Sequence, residues 1–388
     1  LDFADKYGED IRQKQDIVLF FDEKGIFLAM MASKSKRDSK TQKRRLISLL
    51  ILAGALFIMI FIFSRSPMLS EGYMRTVYPV VATMLSSVSG FFPFSLYDLF
   101  IIAASLLLIK LIVFVVLRKT TFSAFLFSFI RFVTIIVVWF YLGWGIAYFR
   151  EDFYARSNVQ ETSFDAENLK NFTTRFIDNA NRHYVDCGNM DKEDIRYEIE
   201  RSYQSLHQPL RVSYPNGKRR VKPMMFESLY TKTGVSGYFG PFFNEIHVNN
   251  YSLNFTYPFT LAHEMAHQFG VAPESEANLY AFIVCASSND ERIRYSAYAS
   301  TLRYVLNDVR LFLPDEYESI VSAIRPEIIT DLKRNREHWL AARNKSLSDA
   351  QNKVYDAYLK TNKVASGHDN YSEVVGLLIS SYDVFIEE

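Results

Sequence analysis

Cysteine is nearly missing from this chain: Cys187 and Cys285 are the only two in 388 residues. That excludes a disulfide-built scaffold and an all-cysteine zinc site. The two can pair with each other only if the fold brings their Cα atoms close enough. Excess charge is missing too. The 44 lysines and arginines nearly balance 43 acidic residues, leaving +1, so there is no overall bias toward nucleic acid. No internal repeat stands out. Histidine is scarce, with seven residues, and this gives weight to any histidine motif: an accidental HExxH in such a chain has a probability of roughly one in a hundred.

What the chain does have is apolar length, unevenly placed. Residues 1–32 hold two short apolar runs, Ile17 to Phe21 and Ile26 to Met31, neither long enough to span a bilayer. A basic segment follows, with Lys34, Lys36, Arg37, Lys40, Lys43, Arg44 and Arg45 against Asp38. It abuts Leu46 to Ser64, nineteen residues without a charge, about the length that crosses the hydrocarbon at the helical rise. Residues 65–95 read as a loop with an apolar section that can lie at the interface. A second span is expected at Leu96 to Leu117, with Asp98 near one end and Lys110 able to snorkel toward the other. The third is expected at Phe132 to Tyr148, within an apolar region that begins at Phe122. Basic residues flanking a span mark its cytoplasmic end. Arg118, Lys119 and Arg131 therefore put the connection between spans two and three on the same side as the basic N-terminal segment, and the chain after residue 150 on the other.

From Arg150 onward the composition turns polar and mainly helical. Amphipathic helices are expected at 164–184 and 191–206. Gly234, Gly237 and Gly240 lead into a noisy period-two pattern over 243–250, read as a strand with a flexible lead-in. An edge strand beside a metal helix can pair with an extended peptide. Further helices are expected around 292–313, in one long stretch over 329–359, and at 371–384.

The chemistry is concentrated at Leu261-Ala262-His263-Glu264-Met265-Ala266-His267-Gln268-Phe269-Gly270. Histidines four apart on a helix stack on one face, and HExxH supplies two zinc ligands with a glutamate to take the proton of a zinc-bound water. Gly270 suits a left-handed position just past the helix end. Pro273 then opens a new helix whose first turn carries Glu274 and Glu276. A catalytic zinc needs a third protein ligand. Glu274 is preferred, because Asn278 lies one turn on and can orient a ligating histidine; Glu276 is the alternative. His247 and His368 are further possibilities without a motif. Tyr295, Tyr298, Arg303 and Tyr304 follow as candidate oxyanion donors, a weak signal among 24 tyrosines.

Residues 258–286, PFTLAHEMAHQFGVAPESEANLYAFIVCA, resemble the bacterial membrane-protein family called the DUF3810 domain. Pro93-Phe94-Ser95, Trp144-Gly145 with Tyr148, Gly237-Tyr238 with Pro241-Phe242 and Glu245, and Tyr355-Asp356 with Tyr358-Leu359 fit the same resemblance. Glu274-x-x-x-Asn278 is similar to the Glu-x-x-x-Asp element of gluzincins, including integral-membrane proteases of the CAAX-prenyl group. Here Asn278 replaces the aspartate, and the gap after His267 is shorter. The Gly270 turn is similar to that of metzincins, with Pro273 standing where their third histidine would be.

The expectation is a mainly α protein: three transmembrane helices followed by a mostly helical zincin-like metallopeptidase domain with a small β element. Residues 1–45 form a cytoplasmic basic segment, 46–149 the three-span region, and 150–388 an extracytoplasmic catalytic domain of a multi-pass protein of the bacterial cytoplasmic membrane. The cofactor is Zn2+, and the partners are the lipid bilayer and a peptide or protein substrate, not nucleic acid. Two other readings compete: a catalytically silent zinc-binding membrane protein that holds a peptide or protein partner, and a zinc hydrolase acting on cell-envelope material. Glu264 favours an enzyme, since binding alone does not need it. Asn254, Thr256, His263 and Gln268 are too polar for a site inside a span.

Overall fold

The computed structural model describes residues 44–45, 47–213, 217–362 and 372–386. Most of the basic segment, and His368, lie outside the described residues. Three helices are long and apolar enough to cross a membrane: α1 (Ile47–Arg65), α4 (Leu96–Val116) and α5 (Phe122–Gly143), with mean hydropathies of 2.8, 3.0 and 2.2. None of the most apolar window of α4 is buried by the protein itself, so the surface must be covered by lipid rather than water. The third helix begins ten residues earlier than expected. Thr121 caps it, its hydroxyl accepting from the Ala124 amide at 3.3 Å. Arg131 is accommodated on the exposed surface of the helix, its long stem letting the charge reach outward.

Residues 65–95 are not a loop. They form α2 (Pro67–Thr76) and α3 (Tyr78–Gly90). Pro67 and Pro79 both sit in the first turn, where a missing N–H costs nothing, and Ser66 caps α2. Their position makes them helix starters.

The C-terminal part packs around two helices. In α10 (Tyr257–Gln268) only Thr260 and His263 reach the surface, and in α11 (Glu274–Ala286) every residue after the first is buried. A helix buried all round must be apolar all round, and Ala277, Leu279, Ala281, Phe282, Ile283 and Val284 meet that condition. The helices α7 (Ala166–Arg182), α8 (Lys192–Leu206), α12 (Glu291–Phe312) and α16 (Ser372–Phe385) surround them. Cys285 is buried and Cys187 half-buried, and both are free thiols. The long helix expected over 329–359 is two, α14 (Pro326–Ala342) and α15 (Lys345–Thr361). Asn344 breaks it: its side chain accepts from the Leu347 amide at 3.1 Å and its own amide is drawn to the Lys232 carbonyl at 2.8 Å.

The β element is a three-stranded sheet in the order β1-β3-β2. Strand β3 (Glu245–Val248) is central and fully buried, parallel to β1 (Val221–Lys222) and antiparallel to β2 (Gly237–Gly240), with Gly237 opposite Val248 and Gly240 opposite Glu245. Of the glycines expected to form a flexible lead-in, Gly237 and Gly240 are therefore the two ends of an edge strand, β2, while Gly234 ends the preceding short helix in a left-handed conformation.

The two regions meet at the end of α10. The last carbonyls of a helix have no partner within it. Here three are satisfied from the membrane-proximal segments: Trp144 Nε1 donates to His267 O, Tyr78 Oη to Gln268 O, and Arg150 Nη1 to Gly270 O, each at 2.7 Å. Gly270 itself has φ +87°, and a Cβ there would come within 2.6 Å of Met74 Cε.

Candidate metal centre

Spacing alone puts His263 and His267 on one face of α10, and the turn at Gly270 folds α11 back so that Glu274 faces them. Glu274 Oε2 lies 3.1 Å from His263 Nε2, Glu274 Oε1 lies 3.7 Å from His267 Nε2, and the two Nε2 atoms are 3.1 Å apart. A tetrahedral zinc with bonds near 2.0–2.1 Å holds its ligand atoms roughly 3.3 Å apart. The two imidazole nitrogens and the two carboxylate oxygens thus stand near the mutual distances such an ion imposes, and one ligand atom from each residue lies within 4.8 Å of the others, a candidate metal-ligand cluster.

The far nitrogens are fixed as well. His263 Nδ1 is 3.1 Å from Asn278 Oδ1, and His267 Nδ1 is 2.7 Å from the Val271 carbonyl. Both partners are acceptors, so they assign the protons to Nδ1 and leave the Nε2 lone pairs for a cation. The Val271 contact follows from the same Gly270 turn and has no sequence signature of its own.

The electrostatics fit a cluster made to hold a positive charge. Burial opposes ionisation of Glu274, but His267 and His263 beside it hold its carboxyl well below the usual range. Burial likewise disfavours the His267 imidazolium, yet Glu274 outweighs it and raises that pKa to about 9. Burial pushes Glu264 up to about 7; His263 and His267 pull it down and Glu274 pushes it further up. A carboxyl poised near neutrality is suited to exchanging a proton.

Glu264 is walled in by β2. A Cβ at Gly237 would come within 2.6 Å of Glu264 Oε1 and 2.9 Å of its Cγ, so any side chain at that position would displace the carboxylate.

Glu276, the alternative ligand, is turned away: Arg156 donates to its Oε2 and both are buried. No local pattern could reveal that partner, which lies 120 residues earlier. The four expected oxyanion donors are also engaged elsewhere. Tyr295 Oη donates to Asp331 at 2.7 Å, Tyr298 packs among Phe176, Phe282 and Tyr382, and Arg303 lies over the Tyr304 ring while donating to its hydroxyl. Four tyrosines and arginines on one helix were chosen by proximity in sequence, but α12 uses those faces for packing. His247 is buried away from the cluster, its Nε2 2.9 Å from Ser95 Oγ; burial pushes its pKa down to about 3. What the sequence reading did not place at the site is Tyr355 of α15, whose hydroxyl donates to Glu274 Oε1.

The chain is a membrane-embedded, mainly helical protein carrying a candidate His-His-Glu metal-ligand cluster. Residues 73–379 match the family described as a protein of unknown function, DUF3810, and the chain belongs to that family. No curated protein and no solved structure matches it.

Proposed function

We propose that the protein is a membrane-anchored zinc metallopeptidase whose catalytic region, residues 150–388, lies outside the cytoplasm. The observation that carries this reading is the convergence of His263 Nε2, His267 Nε2 and the two oxygens of the Glu274 carboxylate, with contacts of 3.1–3.7 Å, and with Glu264 buried beside them. A zinc ion held by those three residues would polarise a water and the carbonyl of the scissile peptide bond. Glu264 accepts the proton of that water as its oxygen bonds to the carbonyl carbon. It then delivers the proton to the amide nitrogen as the C–N bond breaks. Asn278 and the Val271 carbonyl keep the imidazoles in register. Tyr355, at the rim of the cluster on Glu274, is the donor best placed for the developing oxyanion.

The test uses the full chain purified in lipid nanodiscs, with zinc content and cleavage of a degenerate peptide library measured together. Glu264→Gln is expected to keep zinc and lose cleavage, Glu274→Ala to lose both, and Glu276→Ala to keep the site apart from a stability cost from leaving Arg156 buried and unpaired. If the Glu264 and Glu274 variants both bind zinc and cleave like the parent, the reading fails.

A further inference from the structure

The position of the cluster relative to the bilayer narrows what it can act on, given the peptidase reading above. The ruler is strand β2. At one end, Gly240 lies against the first turn of α4: a Cβ there would come within 2.7 Å of Tyr97 Cγ. At the other end, Gly237 touches Glu264. Three residue steps of a strand cover about 10 Å. The 21 residues of α4 and the 22 of α5 measure roughly 32 and 33 Å, close to the hydrocarbon thickness of about 30 Å. Their adjoining ends at Leu96 and Gly143 therefore mark the membrane boundary, and the Glu264 carboxylate stands about 10–15 Å from it, the length of the strand plus the contacts at its two ends.

Three further contacts agree. Trp144, the residue that ends α5, donates to the backbone carbonyl of the ligand residue His267 at 2.7 Å. The turn joining β2 to β3 dips below the helix ends: Phe242 and Phe243 pack on Phe100, one turn into α4, at ring-centroid distances of 4.5 and 6.1 Å. They also pack on Trp139, one turn inside the end of α5, at 5.7 and 5.3 Å. Beside them α3 exposes Val77, Val80, Met84, Val88 and Phe91 and buries Tyr78, Ala82, Ser86 and Ser89. A helix that turns its serines inward and its apolar stripe outward lies in the plane of a lipid surface.

We infer that the substrate is a membrane-anchored polypeptide, cut in the first few residues beyond its anchor. An extended chain advances about 3.3–3.6 Å per residue, so a bond at the height of Glu264 is about three to five residues outside the hydrocarbon. A soluble protein would have to press a chain against the headgroups to reach the same place, whereas an anchored chain is held there at high effective concentration.

Two measurements test this. In the first, the full chain is reconstituted in phosphatidylethanolamine–phosphatidylglycerol vesicles with a degenerate ten-residue library. The library is either free or joined to a single transmembrane helix through Gly-Ser spacers of 0, 5, 15 or 30 residues, and products are mapped by mass spectrometry. The expected result is cleavage that falls at least tenfold when the library moves from the 0- to the 30-residue spacer, and at least tenfold for the free library. Equal cleavage of free and anchored libraries overturns the inference and leaves the peptidase reading standing. Cleavage of nothing by zinc-loaded protein, or release of lipid fragments instead of peptides, overturns both. The second needs no activity. In Trp139→Phe/Trp339→Phe protein, Trp144 is the sole tryptophan. Its fluorescence is expected to be quenched more by lipids brominated near the headgroup than by lipids brominated at mid-chain. No quenching by the shallow bromines would show that the His267 end of α10 is away from the boundary, and would overturn the inference.

Discussion

The helix α4 and the helix α11 are made of similar residues and live in opposite surroundings. The first shows its Leu, Ile and Val side chains to the outside, with none of its most apolar window buried; the second hides every residue after Glu274. The membrane-proximal region buries polar groups such as Ser86, Ser89, Ser95 and Asp98 while showing apolar side chains outward, whereas α11 buries Ala277, Leu279, Phe282 and Ile283 along with the polar Glu276 and Asn278. One region is therefore folded against lipid and the other against itself. They are joined where the carbonyls at the end of α10 take donors from Trp144, Tyr78 and Arg150. The lesson is that a candidate site can be braced by a membrane-proximal shell.

The sharpest way to break this comparison is at the cluster. Glu264→Gln is expected to lower kcat for peptide cleavage by about 10²–10⁴-fold while zinc stoichiometry, read by atomic emission, stays that of the parent. Next comes pH. With the His267 pKa near 9 in the metal-free cluster, zinc must displace a proton at neutral pH. The apparent Kd measured by competition with a chelator should therefore fall about tenfold per unit from pH 6 to 8, with proton release visible when calorimetry is repeated in buffers of different ionisation enthalpy. A flat profile would mean that His267 is not a ligand.

The two surroundings can be compared directly with one substitution in each. Met84→Glu on the exposed stripe of α3 and Tyr197→Glu on exposed α8 replace apolar side chains of similar exposure, 65% and 58%. If lipid covers the first and water the second, Met84→Glu costs about 1.5–3 kcal/mol of lost burial and Tyr197→Glu stays within about 0.5 kcal/mol, both by thermal unfolding in nanodiscs. Equal effects would remove the distinction. Gly237→Ala has a smaller expected effect, about a tenfold loss of kcat with zinc retained, because its Cβ must displace the Glu264 carboxylate. The mildest effect concerns the joint itself. Burial opposes ionisation of Glu71, but Arg150 and Arg75 outweigh it and hold its pKa at about 2. A carboxyl lowered on folding adds stability that is complete above its unfolded value near 4.5 and is lost as pH falls toward 2. Between pH 5 and 3 the parent should lose more Tm than Glu71→Gln; an identical loss would show that the pair does not brace the joint.

The reading from sequence and the structure part company for identifiable reasons. Helices α7, α8, α12 and α16 fall where their periodicity put them, because an amphipathic stripe is a local property. Residues 65–95 escaped because their apolar section was read without the helix starts that Pro67 and Pro79 supply in place. The α14–α15 break turns on a single capping asparagine. At the cluster, Glu274 and Glu276 both sit in the first turn of one helix. Arg156, far away in the chain, engages the second. Tyr355 was visible as part of the family resemblance, but one tyrosine among 24 carries no address.

By itself the sequence determined the three apolar spans, the face shared by His263 and His267, and the glutamate beside them. Each follows from spacing along a single helix, which short-range geometry dictates. Only the tertiary structure decided which glutamate faces the histidines, that a glycine strand walls in Glu264, that Tyr355 meets Glu274, and that the end of α10 is tied to Trp144 at the end of α5. Those depend on contacts between residues 27 to 123 apart in the chain, whose pairing is set by how whole elements pack.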